Sequence, residues 1–329
     1  MSLRFRLPLF GIAISLCAVV ILAEPLIGAE GSARGLSLVV GFVGLSIFVL
    51  HGASRITVTG LFSIAYALFC GYGGWIVIDV DGVSTGLSIA LLVTAMGLAS
   101  SALLMGPVVT PRVPETDALD GRLYVAGGTA TIISLILLRN SLPMLLVEGA
   151  SFMATVVVGV GLIFGRSRRV ALAAPVLIFP YVIAYSELFH GSSGRLRLVA
   201  VGSCLALLYS ARFQASWHKA AMLCLIPPIL GYLAWDRLQT QEAFGGRAAS
   251  AGNTGLESMI TPARAFGLLV DAQGEGHAEL RWGESFLSPM TAIVPDGWRG
   301  GWDPAVFNYE LVAITSPARY GTGYSTAGS

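Results

Sequence analysis

Apolar positions in this chain form long blocks, with neither the strict alternation of a strand nor a heptad repeat. Nine blocks of about 16 to 24 residues are separated by short polar or charged breaks: Leu7–Gly28, Gly35–Leu50, Ile56–Ile78, Gly86–Gly106, Leu123–Leu138, Pro143–Gly165, Val170–Phe189, Leu196–Phe213 and Ala220–Trp235. About 20 helical residues cross the hydrocarbon core of a bilayer, so each block predicts a membrane span. The predicted fold class is an all-α polytopic membrane protein. It has a bundle of about nine transmembrane helices over residues 1–235 and a large extracytoplasmic loop region over 236–329. Pro175 and Pro180 in the seventh block, and Pro227 and Pro228 in the ninth, predict kinks. The first block follows Arg4 and Arg6 as a signal peptide would, but its apolar run is too long, so it reads as an uncleaved span.

After Asp236 the pattern changes. Gln239–Thr254 reads as a Gly-punctuated linker, Thr261–Val270 as a short amphipathic helix, and the chain from Trp282 onward as an ordered, aromatic-rich loop without helical period. No closing helix or strand precedes Ser329, and the expectation is a reading frame cut short before further spans.

Composition agrees with the blocks. Of the 329 residues 55% are hydrophobic and 12% charged, which excludes an ordinary soluble domain. A net charge of +1 gives no field that would draw nucleic acid. Cys17, Cys70, Cys204 and Cys224 all lie in apolar blocks without metal-ligand spacing, so neither a disulfide framework nor a structural zinc is expected. No nucleotide loop, H-E-x-x-H or G-x-S-x-G motif is present, and no cofactor is expected. Nineteen of the 20 basic residues are arginine, Lys219 being the exception. With the N-terminus inside, the inner segments hold ten basic residues (Arg4, Arg6, Arg55, Arg112, Arg122, Arg166, Arg168, Arg169, Arg212, Lys219) and the short outer loops four (Arg34, Arg139, Arg195, Arg197). Basic residues are retained on the cytoplasmic side. This predicts a multi-pass protein of the bacterial cytoplasmic (inner) membrane, with its N-terminus cytoplasmic and residues 236–329 outside.

Chemistry-bearing residues concentrate at the predicted outer edge. Ser186-Glu187-Leu-Phe-His190-Gly-Ser-Ser-Gly-Arg195-Leu-Arg197 joins the seventh and eighth spans. Its two arginines run against the inside bias. Their donor forks suit phosphate oxygens, although snorkelling to lipid headgroups is the alternative. Glu187 and His190 share a helix face, either as a base near a sugar hydroxyl or as a water-facing helix end. Glu148 near the start of the sixth block is a weaker candidate, and Asp79 with Asp81 either solvates a turn or holds a cation.

The most specific stretch is Arg281-Trp-Gly-Glu-Ser-Phe-Leu-Ser-Pro-Met-Thr-Ala-Ile-Val-Pro-Asp-Gly-Trp298, followed later by Arg319-Tyr-Gly-Thr-Gly-Tyr-Ser325. It resembles the large outer loop of bacterial oligosaccharide repeat unit polymerases, the O-antigen polymerase (Wzy-type) family. Gly283, Ser285, Phe286, Leu287, Ile293 and Pro295 match a G-x-S-[FY]-L segment leading to an "I-P" step, and Gly321, Gly323 and Ser325 match a "G-x-G-x-S" segment. The Gly-Ser-Ser-Gly-Arg195 step resembles a "G-x-R" that opens a span there. Two departures stand out: Asp296 and Gly297 precede Arg299 where the family places a basic residue sooner, and the acidic segment and further spans that usually follow are missing.

The resemblance implies transfer of a growing glycan from undecaprenyl pyrophosphate to a lipid-linked repeat unit, on the outer side of the membrane. The implied partners are the lipid-linked oligosaccharides, membrane lipid and other polysaccharide-assembly proteins. On that reading Arg195, Glu187 and Glu284 are the catalytic candidates. Arg197, Arg281, Arg299, Arg319, Trp282, Trp298 and Tyr320 are the substrate-binding candidates. An O-antigen ligase-like transferase and a non-catalytic, vestigial membrane protein stay open. A transporter or flippase fits less well, because no internal repeat is visible.

Overall fold

The computed structural model describes residues 3–52, 54–104, 120–138, 141, 144–188, 192–213, 215, 217–224, 227–228, 231 and 257–276. Among these residues the chain is all-helical and contains no strand. The helices are α1 Leu3–Leu22, α2 Glu24–Leu50, α3 Val58–Tyr66, α4 Gly73–Asp81, α5 Thr85–Leu104, α6 Gly121–Leu138, α7 Met144–Phe164, α8 Arg168–Leu188, α9 Ser192–Phe213 and α10 Glu257–Gly274. A π-helical segment, Ala67–Tyr72, joins α3 to α4 without a break. Residues 217–224 are also helical.

Local chemistry explains several boundaries. The α2 helix stops at Gly52, whose φ of 80° is a conformation that a side chain would strain. The Thr57 hydroxyl caps α3 by accepting from the Gly60 N–H at 3.0 Å, Ser84 caps α5 through the Leu87 N–H at 3.0 Å, and Asp120 accepts from the Arg122 N–H at the start of α6. In the π-helical segment the Ser37 hydroxyl donates to the Gly71 carbonyl, meeting a backbone group where the helical ladder is widened.

Among the described residues four helical stretches are long and apolar enough to cross a membrane: Glu24–Leu50, Val58–Asp81, Thr85–Leu104 and Gly121–Leu138. Arg6–Leu22, Gly149–Phe164 and Ala200–Phe213 are shorter apolar helical stretches. Large apolar side chains lie open on helix surfaces, with Leu26 89% and Val176 75% exposed, as expected where the solvent is hydrocarbon.

The predicted breaks shift in four places. The link expected between the first two blocks is helical. Its residues continue α2, which bends at Gly28 (φ 74°), and Ser32 and Ala33 are buried there. Asp79 and Asp81, expected in a turn, sit in the last turn of α4. Arg195 and Arg197 lie inside α9, which begins at Ser192 rather than Leu196. The amphipathic helix expected over Thr261–Val270 extends to Glu257–Gly274.

The described helices fall into two compact units. One holds α1, α2 through Ile47, the chain from Phe62 through α4 and α5, and α10. In it α10 packs on α5, on α4 and on the π-helical segment, and α1 packs on α5. The other holds the chain from Phe48 to Leu61 together with α6 to α9 and residues 217–224. There α7 is central, touching α6, α8 and α9. Its core is Val158, Leu162, Ile163, Ala174 and Ile178. Where α6 crosses α7, the Gly121 and Gly161 backbones approach so closely that a Cβ on either would fall within 2.4 to 2.7 Å of the other's carbonyl oxygen. Close backbone approach through small residues is how helices associate in lipid, where apolar burial alone gives no drive.

Candidate functional site

Glu187 lies in the last turn of α8, and Arg195 and Arg197 lie in the first two turns of α9. The two helices pack against each other. The first turn of α9 carries backbone N–H groups without intrahelical acceptors and the positive end of the helix dipole. Two arginines at that end add to the same positive potential. His190, Arg281, Trp282, Glu284, Trp298, Arg299, Arg319 and Tyr320 lie outside the described residues, as do the segments Gly283–Pro295 and Gly321–Ser325.

The structure builds a charged edge that the sequence did not pair. In the unit holding α10, the Arg34 guanidinium donates from Nη2 to Glu30 Oε1 at 2.7 Å and to Asp79 Oδ1 at 2.6 Å. It also lies 4.9 Å from the centroid of the Trp75 ring. Two residues on from Asp79, the Asp81 carboxylate receives both prongs of Arg264, with Nη2 to Oδ1 at 2.6 Å. Two turns further along α10, Asp271 Oδ1 accepts the Gly86 N–H at 2.6 Å. Asp79 and Asp81 are thus committed to arginines, and their work here is to fix α2 and α10 to the end of α4.

Small residues let α10 come that close. Among its described side chains Ala263, Gly267 and Ala272 are buried. A Cβ on Gly86 would sit 2.3 Å from the Gly267 carbonyl oxygen, and one on Gly267 would sit 3.1 Å from Leu87 Cα. The ion pair contributes less than this contact, because Arg264 and Asp81 are each 40% exposed at the side chain. Arg264→Gln is therefore expected to cost about 1 kcal/mol or less. The loss should shrink in 1 M salt, read as the shift in unfolding midpoint of the detergent-solubilised protein at low and high sodium chloride.

A second polar cluster gathers in the other unit. Lys219 is 5% exposed, and its ammonium donates to the Val49 carbonyl at 2.8 Å and the His51 carbonyl at 2.6 Å, at the C-terminal end of α2. Burial pushes its pKa down to about 8, while the dipole of α2 favours the charged form. It is therefore a cation at neutral pH. His51 Nδ1 lies 2.7 Å from the Thr57 hydroxyl, and the Ile56 N–H donates to the Ser210 hydroxyl at 2.7 Å, which ties the α2–α3 link to α9. His218 is buried among aromatic rings, which pushes its pKa down.

A groove of about 540 Å³ opens between α6 and α7, lined by residues that include Leu123, Tyr124, Gly127, Thr131 and Met153. The Thr131 hydroxyl is turned onto the Gly127 carbonyl, so the groove offers hydrocarbon contact and no free polar group from that side chain. Among the described residues no group of three or more His, Cys, Asp or Glu could hold a metal ion.

Compared with known proteins, the chain matches no family model, no curated protein and no solved structure. The pairs found here span 45 residues (Arg34 to Asp79) and 183 residues (Asp81 to Arg264). The sequence holds only a weak signal for them: the few charges on otherwise apolar or small-residue helices need partners, but nothing in the sequence says which.

Proposed function

We propose that this protein polymerises lipid-pyrophosphate-linked oligosaccharide repeat units on the outer side of a bacterial cytoplasmic membrane. In this reading its nine spans place the N-terminus inside and residues 236–329 outside. The observation that carries the reading is Arg195 and Arg197 at the positive end of α9, on a Gly-Ser-Ser-Gly-Arg step that accompanies the outer-loop motifs of Gly283–Pro295 and Gly321–Ser325. Support also comes from the firm attachment of α10 to the α4–α5 turn, which would hold the chain that leads into the outer loop.

In the reaction the bond from the sugar's anomeric carbon to the pyrophosphate oxygen breaks. A bond from the same carbon to an acceptor hydroxyl oxygen forms, and the hydroxyl proton passes to a carboxylate. Glu187 and Glu284 are the candidates for that base. Undecaprenyl pyrophosphate leaves with its charge stabilised by arginine, much as transition-state charge is stabilised in acyl and phosphoryl transfers. Arg281, Arg299 and Arg319 would hold phosphate or sugar oxygens, and Trp282, Trp298 and Tyr320 would stack on sugar faces.

Deletion of the gene in its native host tests this. The expected result is a surface polysaccharide reduced from a ladder of chain lengths to single repeat units, with the ladder restored by the gene on a plasmid. An unchanged ladder in the deletion strain overturns the proposal. Intact polymer that no longer reaches its final acceptor would instead mark a ligase.

A further inference from the structure

Residues 212, 218 and 219 carry more buried polar nitrogen than their described neighbours answer. Arg212 is one residue from the C-terminal end of α9, and its Nη1 is buried with no hydrogen-bond partner among the described residues. His218, 6% exposed, has its Nδ1 in the same condition. Aromatic rings connect the two. The Arg212 guanidinium lies 5.8 Å from the Phe213 ring, Tyr209 stacks on Phe213 at 4.8 Å, and Tyr209 meets His218 edge-on at 5.2 Å. Beside them Lys219 uses two of its three N–H donors on the Val49 and His51 carbonyls. Among the described residues no carboxylate pairs with Arg212, His218 or Lys219. Buried charges and buried polar nitrogens are paired as a rule, since an orphan gives up its hydration without return.

The position narrows the class of missing partner. The candidate spans Glu24–Leu50 and Val58–Asp81 end and begin at this cluster, so it lies at the boundary where hydrocarbon gives way to headgroups. Basic pockets between helices at that depth take lipid phosphates. A guanidinium, an imidazole N–H and an ammonium together match the several acceptor oxygens of one phosphate better than a single carboxylate. We infer that Arg212, His218 and Lys219 form a binding site for a phosphate group at this membrane edge. The site is independent of the proposed reaction: Arg195 and Arg212 are 17 residues apart on α9, a separation of about 26 Å along the helix.

The test uses the full chain in an uncharged detergent and reads its thermal unfolding midpoint. One arm titrates inorganic phosphate against chloride at equal ionic strength. The other titrates phosphatidic acid into the micelle against diacylglycerol with the same acyl chains. The expected result is a saturable rise with one of the phosphate probes and none with its control. A rise with phosphatidic acid alone assigns a lipid headgroup, and a rise with inorganic phosphate assigns a free phosphate. Arg212→Gln and His218→Gln should each weaken the apparent affinity by about tenfold or more, the effect of losing one charge-assisted hydrogen bond. If Arg212→Gln does not fold, Arg212→Lys and His218→Gln carry the test. No rise with either probe overturns the inference, and so does a rise that persists unchanged in these variants.

Discussion

Replacing Gly86 with valine is expected to detach α10 from α5 and to lower the stability of the unit that contains them by about 3 kcal/mol. The hydrogen at this Cα faces the Gly267 carbonyl, which a Cβ would approach to 2.3 Å, and the Asp271 carboxylate, approached to 2.5 Å. The first of these is backbone, so no rotamer change relieves it. The helices would have to separate, and the bond from the Gly86 N–H to Asp271 would lengthen with them. Thermal unfolding in detergent, with proteolysis within 257–274 as a local reporter, measures both effects. Gly97→Ala is the control on the same helix, because nothing lies within 4 Å of its Cβ position, and it should be neutral or slightly stabilising. A Gly86→Val protein that unfolds like wild type and resists proteolysis would mean that α10 does not depend on this crossing.

If the proposed polymerisation is the protein's activity, Arg195→Ala is expected to reduce it by about a hundredfold or more, with unchanged insertion into the membrane. A guanidinium that meets the leaving pyrophosphate stabilises charge that grows as the glycosidic bond breaks, and single donors in that role are worth about 10²- to 10³-fold in rate. Position alone favours Arg195: it stands within the first turn of α9, where the helix dipole assists an anion. The measurement is the growth of the chain-length ladder in membranes supplied with lipid-linked repeat units. Arg195→Lys should recover only part of the rate, because lysine keeps the charge and loses the fork. A ladder formed at the wild-type rate by Arg195→Ala would remove this residue from the mechanism and leave the outer-loop motifs as the remaining support.

The two expectations differ in what made them visible. Arg195 was legible from the sequence because it interrupts an apolar pattern and opposes the charge bias of neighbouring loops. Gly86 was not: a glycine at the start of an apolar block reads like any other small residue, and its importance comes from Gly267, 181 positions away in the chain.

What the sequence by itself determined is the helical, hydrocarbon-facing character of the chain. Runs of apolar residues specify helices locally, since a backbone in lipid must satisfy its own hydrogen bonds. Most helix limits could therefore be placed to within a few residues of Thr85–Leu104, Gly121–Leu138 and Met144–Phe164. The polar break before Gly35 misled, because Glu30 and Arg34 look like loop residues until they are seen paired at i and i+4 on a continuing helix. Tertiary structure alone decided the partners: Asp79 with Arg34, Asp81 with Arg264, Asp271 with the Gly86 amide, and Lys219 with the last carbonyls of α2. Apolar periodicity says which residues avoid water. It carries no term for which polar groups meet, because those contacts form only after helices distant in sequence have packed, and their geometry is set by the small residues between them.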